Sequence, residues 1–272
     1  MAVLAFALPM RGQLSDYDTL CQARLMVMYE HTYHEDTNNI NRAGKEKMLL
    51  LIGDEISCFQ SFNNRRSFLK TRQMMLDGTW GTYISQPIYV KPDDIVHFMY
   101  RIYKNCPTGK TTTFDHVFMT GTFSYEEDYP CMTWEYTEDT ATIAGYFTQK
   151  AVCDYGGRSW EAWFAPELPY SDGPYKFCGL PGLIVRLADT QDHYRFEMLS
   201  AEVLAEETII FWKTEDVVKT TKKGFFKAYD DNLANIVENA LPNILDADKN
   251  DIQKKLYNYA ATKNNPIELD RK

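Results

Sequence analysis

The chain has 272 residues, carries a formal net charge of −9 and is 44% hydrophobic. That balance repels phosphodiester backbones, and the densest basic runs, 63–72 and 220–227, are short and broken by apolar residues, so nucleic acid is not an expected partner. No run of 18 apolar residues occurs, so no helix of this sequence is expected to span a membrane.

In chain order, residues 2–9 read as the core of an export signal, with cleavage expected just before Gln13 and residues 1–12 as a truncated signal segment. The segment 24–34 alternates and predicts a strand. Residues 46–62 predict two strands around a turn at Gly53-Asp54. A helix is expected over 64–78, ended by Gly78. The stretch 94–104 places Val96, Phe98, Tyr100 and Ile102 on one strand face, and 113–127 predicts a hairpin or a strand bulged at Gly121. Around Gly156-Gly157 the chain predicts a hairpin spanning 142–168, because a two-glycine turn between extended arms favours that pairing. A second hairpin is expected over 182–203, turning at Asp189 to Asp192. Helical spacing begins near residue 213, and the end, NNPIELDRK, reads as a loose tail. With 18 Tyr and 15 Phe, strands first and helices last, the class is α+β.

Chemistry-bearing motifs are sparse. The glycines of 169–187 lead into LIVRL, a strand, and no lysine stands where a phosphate loop needs one, so the nucleotide reading fails. Pro174 and Pro181 fix φ, and Gly173 and Gly182 open conformations closed to other residues, so this is a rigid architectural loop that can double as a pocket lid. The five histidines are expected to face water or to be hydrogen-bonded. The six cysteines lack zinc-ligand spacing. No nucleophile elbow or HExxH is present. Glu161 and Glu167, flanked by aromatics, are the best single acid candidates for a hydrolase, the weakest of the functional readings. Arg158 follows the glycine turn in a region dense with aromatics, where a guanidinium stacks and pairs at once. No metal and no cofactor are expected.

The blocks TATIAGYFTQKA, GGRSWEAWFAPELP and SDGPYKFCGLPGLIVRLADTQDHYRFEM, which together span 142–198, resemble the GLPGLI family of Bacteroidetes in order and spacing. Residues 179–184 spell that hexapeptide, and NPIEL at 265–269 is similar to the family's common ending. Many members carry a cysteine two residues after the Gly-Tyr pair, where this chain has Thr148, so a disulfide implied by the family pattern does not carry over. The resemblance implies export to the periplasm or cell envelope and supplies no catalytic residues. The strand order is also similar, at fold level, to the open curved sheets of periplasmic lipoprotein carriers.

The expected architecture is therefore a curved antiparallel sheet over 13–212 with a helical segment, 213–272, packed on it. The expected function is a non-enzymatic binding module for a hydrophobic small molecule or peptide, with an envelope protein as the alternative partner. Tyr146, Arg158, Trp163, Tyr175, Phe177, Leu180 and Pro181 are the expected ligand-binding residues. Gly145, Gly173, Pro174, Gly179 and Gly182 form the expected structural motif.

Overall fold

The computed structural model describes residues 17–84, 94–130, 132–213, 216–240 and 249–271, so the expected signal segment lies outside them. Twelve strands form one sheet. They are β1 (Tyr17–Tyr33), β2 (Gly44–Ile52), β3 (Ser57–Ser61), β4 (Arg101–Lys104), β5 (Lys110–Val117), β6 (Gly121–Asp128), β7 (Glu135–Ile143), β8 (Tyr146–Tyr155), β9 (Arg158–Ala165), β10 (Leu183–Asp189), β11 (Tyr194–Lys213) and β12 (Val217–Lys219). The helices are α1 (Phe62–Leu76), α2 (Trp80–Ile84), α3 (Lys222–Ala234), α4 (Ile236–Ala240) and α5 (Lys249–Ala261).

The order β12-β6-β5-β4-β3-β2-β1-β11-β10-β9-β8-β7 is two antiparallel meanders joined where β1 pairs with β11, and only the short β12 lies parallel to its neighbour. β6 and β7 stand ten places apart in that order. Ten strand spacings in a flat sheet measure about 48 Å. The link from Asp128 to Glu135 spans at most about 25 Å when fully extended. The sheet must therefore curl. Tyr155 on β8 donates its hydroxyl to Glu127 on β6 at 3.0 Å, across nine places of the order. The roll stays open, with β7 and β12 as its edges.

Alternation decides which side chains enter the roll. Leu25, Val27, Tyr29 and His31 from β1 join Met48 and Leu50, Phe59, Trp160, Ala162, Phe164, Phe196 and Met198 in one buried inner cluster. The opposite face buries Leu49, Leu51, Cys58, Tyr103 and Phe114 in a second cluster, against which Phe62 of α1 packs. A third joins Val117, Phe123 and Tyr125 to Phe225 and Phe226 of α3.

Several turns follow their local chemistry. Gly53 donates to the Ile56 carbonyl at 2.8 Å between β2 and β3, and Gly156 and Gly157 both sit at positive φ between β8 and β9. The hairpin of β10 and β11 closes at Asp189, whose carboxylate accepts the Tyr194 backbone N–H at 2.7 Å. Residues 118–120 turn β5 into β6, the hairpin alternative of the two expected there.

Three segments differ from expectation, the first being β12, a strand at Val217–Lys219 where helical structure is expected from residue 213. Only Arg101–Lys104 of the stretch 94–104 is strand, because its partner β3 ends at Ser61, which caps α1 through the Asn64 N–H. The backbone N–H groups of His97 and Phe98 go instead to the Glu46 carboxylate, at 3.2 and 3.0 Å. The end of the chain is not loose. Asn265 and Glu268 are buried, Asn265 donates its backbone N–H to the Glu35 carbonyl at 2.9 Å, and Leu269 donates to the Gly156 carbonyl at 2.6 Å. Its polarity misleads because its partners are buried charges contributed by distant segments.

Candidate functional site

The loop 166–182 fills the roll rather than fringing it. Tyr175, Phe177, Cys178 and Leu180 are buried, and Phe177 lies against Trp160, Tyr155 and Trp134. Three buried cations hold this filling in place. Lys104 of β4 binds Asp172 and donates to the carbonyls of Gly173 at 2.5 Å and Phe177 at 3.2 Å. Lys176 binds Glu127 of β6, Glu268 of the tail at 2.6 Å and the Tyr125 hydroxyl at 3.0 Å. Arg158 donates to Asp189 at 2.9 Å, to Asn265 Oδ1 at 2.6 Å and to the carbonyls of Pro266 and Ile267 at 2.7 and 3.0 Å, with its guanidinium 5.0 Å from the Tyr194 ring centroid. Burial alone would raise the Glu268 pKa, but Lys176 and Lys222 outweigh it and hold the carboxyl at about 2.

The glycine turn belongs to the same assembly. A Cβ on Gly157 would stand 3.1 Å from the Leu269 side chain and 3.2 Å from the Asp270 backbone nitrogen, and φ there is +74°. The tail passes over Gly156-Gly157 because no side chain occupies that space. The glycine turn, the loop and NPIEL, far apart in sequence, are one packed unit.

Between the inner face and the C-terminal helices lies a cavity of about 210 Å³. Its aromatic lining includes Phe98, Tyr125, Tyr175, Phe225 and Tyr229. Its polar lining includes Tyr100, Thr113, Asp115, Glu35, His97 and Lys263. Glu35 accepts from His97 Nε2 at 2.5 Å and from Lys263, which also lies 3.0 Å from His97. Burial works against the charged Glu35, yet hydrogen bonding by His97 and the charge of Lys263 hold its pKa at about 2. Asp115 is the opposite case. Half-buried in the cavity wall, its carboxyl is pushed up to about 7 by burial, partly offset by the His116 N–H, Lys176 and Arg271.

A folded-state carboxyl raised from 3.8 to about 7 lowers stability as pH rises through that window, since the unfolded chain ionises first and the folded chain resists. Asp115→Asn is therefore expected to stabilise the fold at pH 8 by about 1–3 kcal/mol, after discounting for water reaching the cavity. The gain should vanish at pH 3. Urea unfolding at both pH values checks this, and equal midpoint shifts at the two would refute it.

Of the residues expected to bind ligand, Tyr175 lines the cavity. Arg158 is committed to Asp189 and the tail, and Phe177 and Leu180 are core. Trp163 points from the outer face of β9, where Lys150 lies 5.9 Å from its ring. Tyr146 is half-buried at the start of β8, and Pro181 is exposed. In the motif, Gly145 makes the exposed turn between β7 and β8, Gly173 and Pro174 are buried beside Lys104's partners, Gly179 is exposed near Trp134, and Gly182 presses on β9. Glu161 pairs with Lys150 at 3.2 Å and Glu167 is exposed; neither lines the cavity. His31 departs from the expectation for histidines: it is fully buried, stacked on Phe196, with neither ring nitrogen hydrogen-bonded among the described residues. Burial lowers its pKa to about 3, so it is neutral. Sequence reasoning missed Asp115, although strict alternation along β5 places it on the face of buried Thr111, Thr113 and Val117, where a carboxylate is out of place.

A family model described as "Protein of unknown function (Porph_ging)" matches residues 155–186. That short match covers Arg158, the loop and the start of β10. No curated protein matches the chain. Two solved structures of PNGF-II, in the P21 and C2 space groups, resemble it with a TM-score of 0.51 each at 10% and 9% identity, over 76% of this chain. The chain spans about a third of their length, 33% and 32%. At that identity the likeness is one of fold, a large open, mostly antiparallel sheet with a few helices. Among the described residues no helix is long and apolar enough to cross a membrane.

Proposed function

We propose that the chain is a non-enzymatic binding module of the cell envelope that takes a small hydrophobic or peptidic ligand in the cavity under α3 and the tail. The observation that carries this reading is the contrast between two parts of one interior. The roll is filled to its centre by the chain's own loop, whereas the neighbouring aromatic-walled space of about 210 Å³ is left open. Interiors are ordinarily close-packed, and an apolar pocket with a few converging polar groups is the usual form of a ligand site. Engineered cavities of about 150 Å³ hold one benzene ring, so this space suits a single ring, a side chain or the end of an aliphatic chain rather than a whole lipid. The envelope location is supported by the leader-like residues 2–9 and by the resemblance over 142–198.

Leu233 of α3 is half-buried and lines the cavity. Leu233→Trp is expected to fill it without disturbing the ion pairs below. Native mass spectrometry of protein taken gently from its own cells should show a stoichiometric small-molecule adduct on the wild-type chain and none on the variant. An empty wild-type chain, or equal adducts on both, would refute the cavity as the site. Empty protein that captures an envelope partner would favour an interaction module instead.

A further inference from the structure

Two carboxylates line the cavity, and they are not equivalent. Glu35 is engaged by His97 and Lys263. Asp115 forms no ion pair among the described residues, and its one hydrogen bond comes from the backbone N–H of its neighbour His116, at 2.7 Å. The two cationic side chains of the lining have partners already: Lys263 holds Glu35, and Arg271 donates to Asp230 at 2.9 Å and to the Glu268 carbonyl at 3.0 Å.

Two further lining groups share this condition. Tyr100 and Thr113 are 5% and 2% exposed, and neither the Tyr100 hydroxyl nor the Thr113 hydroxyl has a hydrogen-bond partner among the described residues. Buried polar groups are nearly always paired, and each exception calls for an explanation. Thr113 and Asp115 are two residues apart on β5 and so share its inner face. The register Arg101↔Phe114, continued one residue beyond the start of β4, sets Tyr100 beside Asp115 of β5. Two orphan hydroxyls and an unpaired carboxyl thus line one wall, with the rings of Phe118, Phe225 and Tyr229 also in the lining.

We propose that this wall is a subsite for a primary ammonium group carried on a compact apolar body, such as a peptide N-terminus with its first side chain or a simple alkyl- or arylamine. An ammonium has three N–H donors and no acceptor, which matches the two orphan hydroxyl oxygens and the Asp115 oxygen that the His116 N–H does not take. Its charge completes the one unpaired carboxylate of the lining, and a cation among aromatic rings gains further from their faces. A carboxylate ligand would place a second negative charge against Asp115, and an alcohol would leave that charge unmatched. The inference rests on the cavity being a binding site and adds the chemical class of what enters it.

The test is calorimetric titration of the full chain at pH 8 with phenethylamine, 2-phenylethanol and 3-phenylpropionate, three probes of similar size. The amine should bind at least tenfold more tightly than the alcohol, and the acid should not bind. Asp115→Asn should cost the amine at least tenfold and leave the alcohol within about twofold. Paired Tyr100→Phe and Thr113→Val variants should each weaken the amine several-fold while the chain stays folded. Alcohol or acid binding as tightly as the amine would overturn the ammonium assignment and leave the binding module standing. So would amine affinity unchanged in Asp115→Asn. If none of the three probes binds and the chain from its own cells is also empty, both readings fall. Binding of the amine unchanged by Leu233→Trp would place it elsewhere and overturn the proposal.

Discussion

Lys176→Met is expected to lower the free energy of unfolding by about 3–5 kcal/mol, the usual result of removing one partner from a buried ion pair. The Lys176 side chain is 0% exposed and bridges β6 to the tail through Glu127 and Glu268. Methionine fills much of the same volume, so the loss reports charge rather than a void. After substitution Glu268, whose side chain is 1% exposed, keeps Lys222 at 2.5 Å as its counter-ion. Urea unfolding at pH 7 with an unchanged slope measures the cost. A loss below about 1 kcal/mol would show that Lys222 suffices. Adding Glu268→Gln to Lys176→Met should cost less than the sum of the two single changes, because the second removes the charge that the first strands. The pH dependence has a definite sign. A carboxyl held at about 2 contributes stability above its ordinary 4.5 that disappears as pH falls toward 2. The wild-type chain should lose stability steeply across that window, and Lys176→Met less steeply.

Gly182→Ala should cost about 3 kcal/mol, at the upper end of ordinary overpacking. A Cβ there would stand 2.3 Å from the Ala165 carbonyl oxygen and 2.7 Å from its carbon. Both atoms belong to the backbone at the end of β9, so no rotamer change relieves the contact. The strand must move, and with it Phe164 and the inner cluster. Pro181→Ala, one residue earlier and exposed, is the control and should stay within about 0.5 kcal/mol. Thermal or urea unfolding of the two variants side by side checks the pair, and equal losses would mean that Ala165 yields easily.

Much of the fold was legible because the signals were local. Gly156-Gly157 dictates its hairpin through two positive φ angles, and Asp189 caps the next turn with its own carboxylate. Alternation in β9 separates inner from outer residues without help. The curl was legible only as an analogy, since its cause is the seven-step link from Asp128 to Glu135 between strands far apart in the sheet. The tail misled for a related reason. A run such as NNPIELDRK scores as solvent-exposed until Arg158 and Lys176 are known to supply buried partners for Asn265 and Glu268. Phe177 and Leu180 of the glycine-rich loop are expected both to tuck back against the sheet and to line a pocket, and they do the first. They are core because that loop lies inside the roll. Asp115 and Tyr100 were hidden because an unmatched polar group becomes visible only once its neighbours are known.

The strapping of the tail across Gly156-Gly157 has a consequence for synthesis. Arg158 and Lys176 emerge from the ribosome about a hundred residues before Asn265 and Glu268, and no earlier segment supplies those contacts. A nascent chain can form its local hairpins and pair Arg158 with Asp189 and Lys176 with Glu127, but neither cation has its full set of partners until residue 268 has been made. Closure therefore waits on the tail, and a chain made only as far as the loop stays pliable.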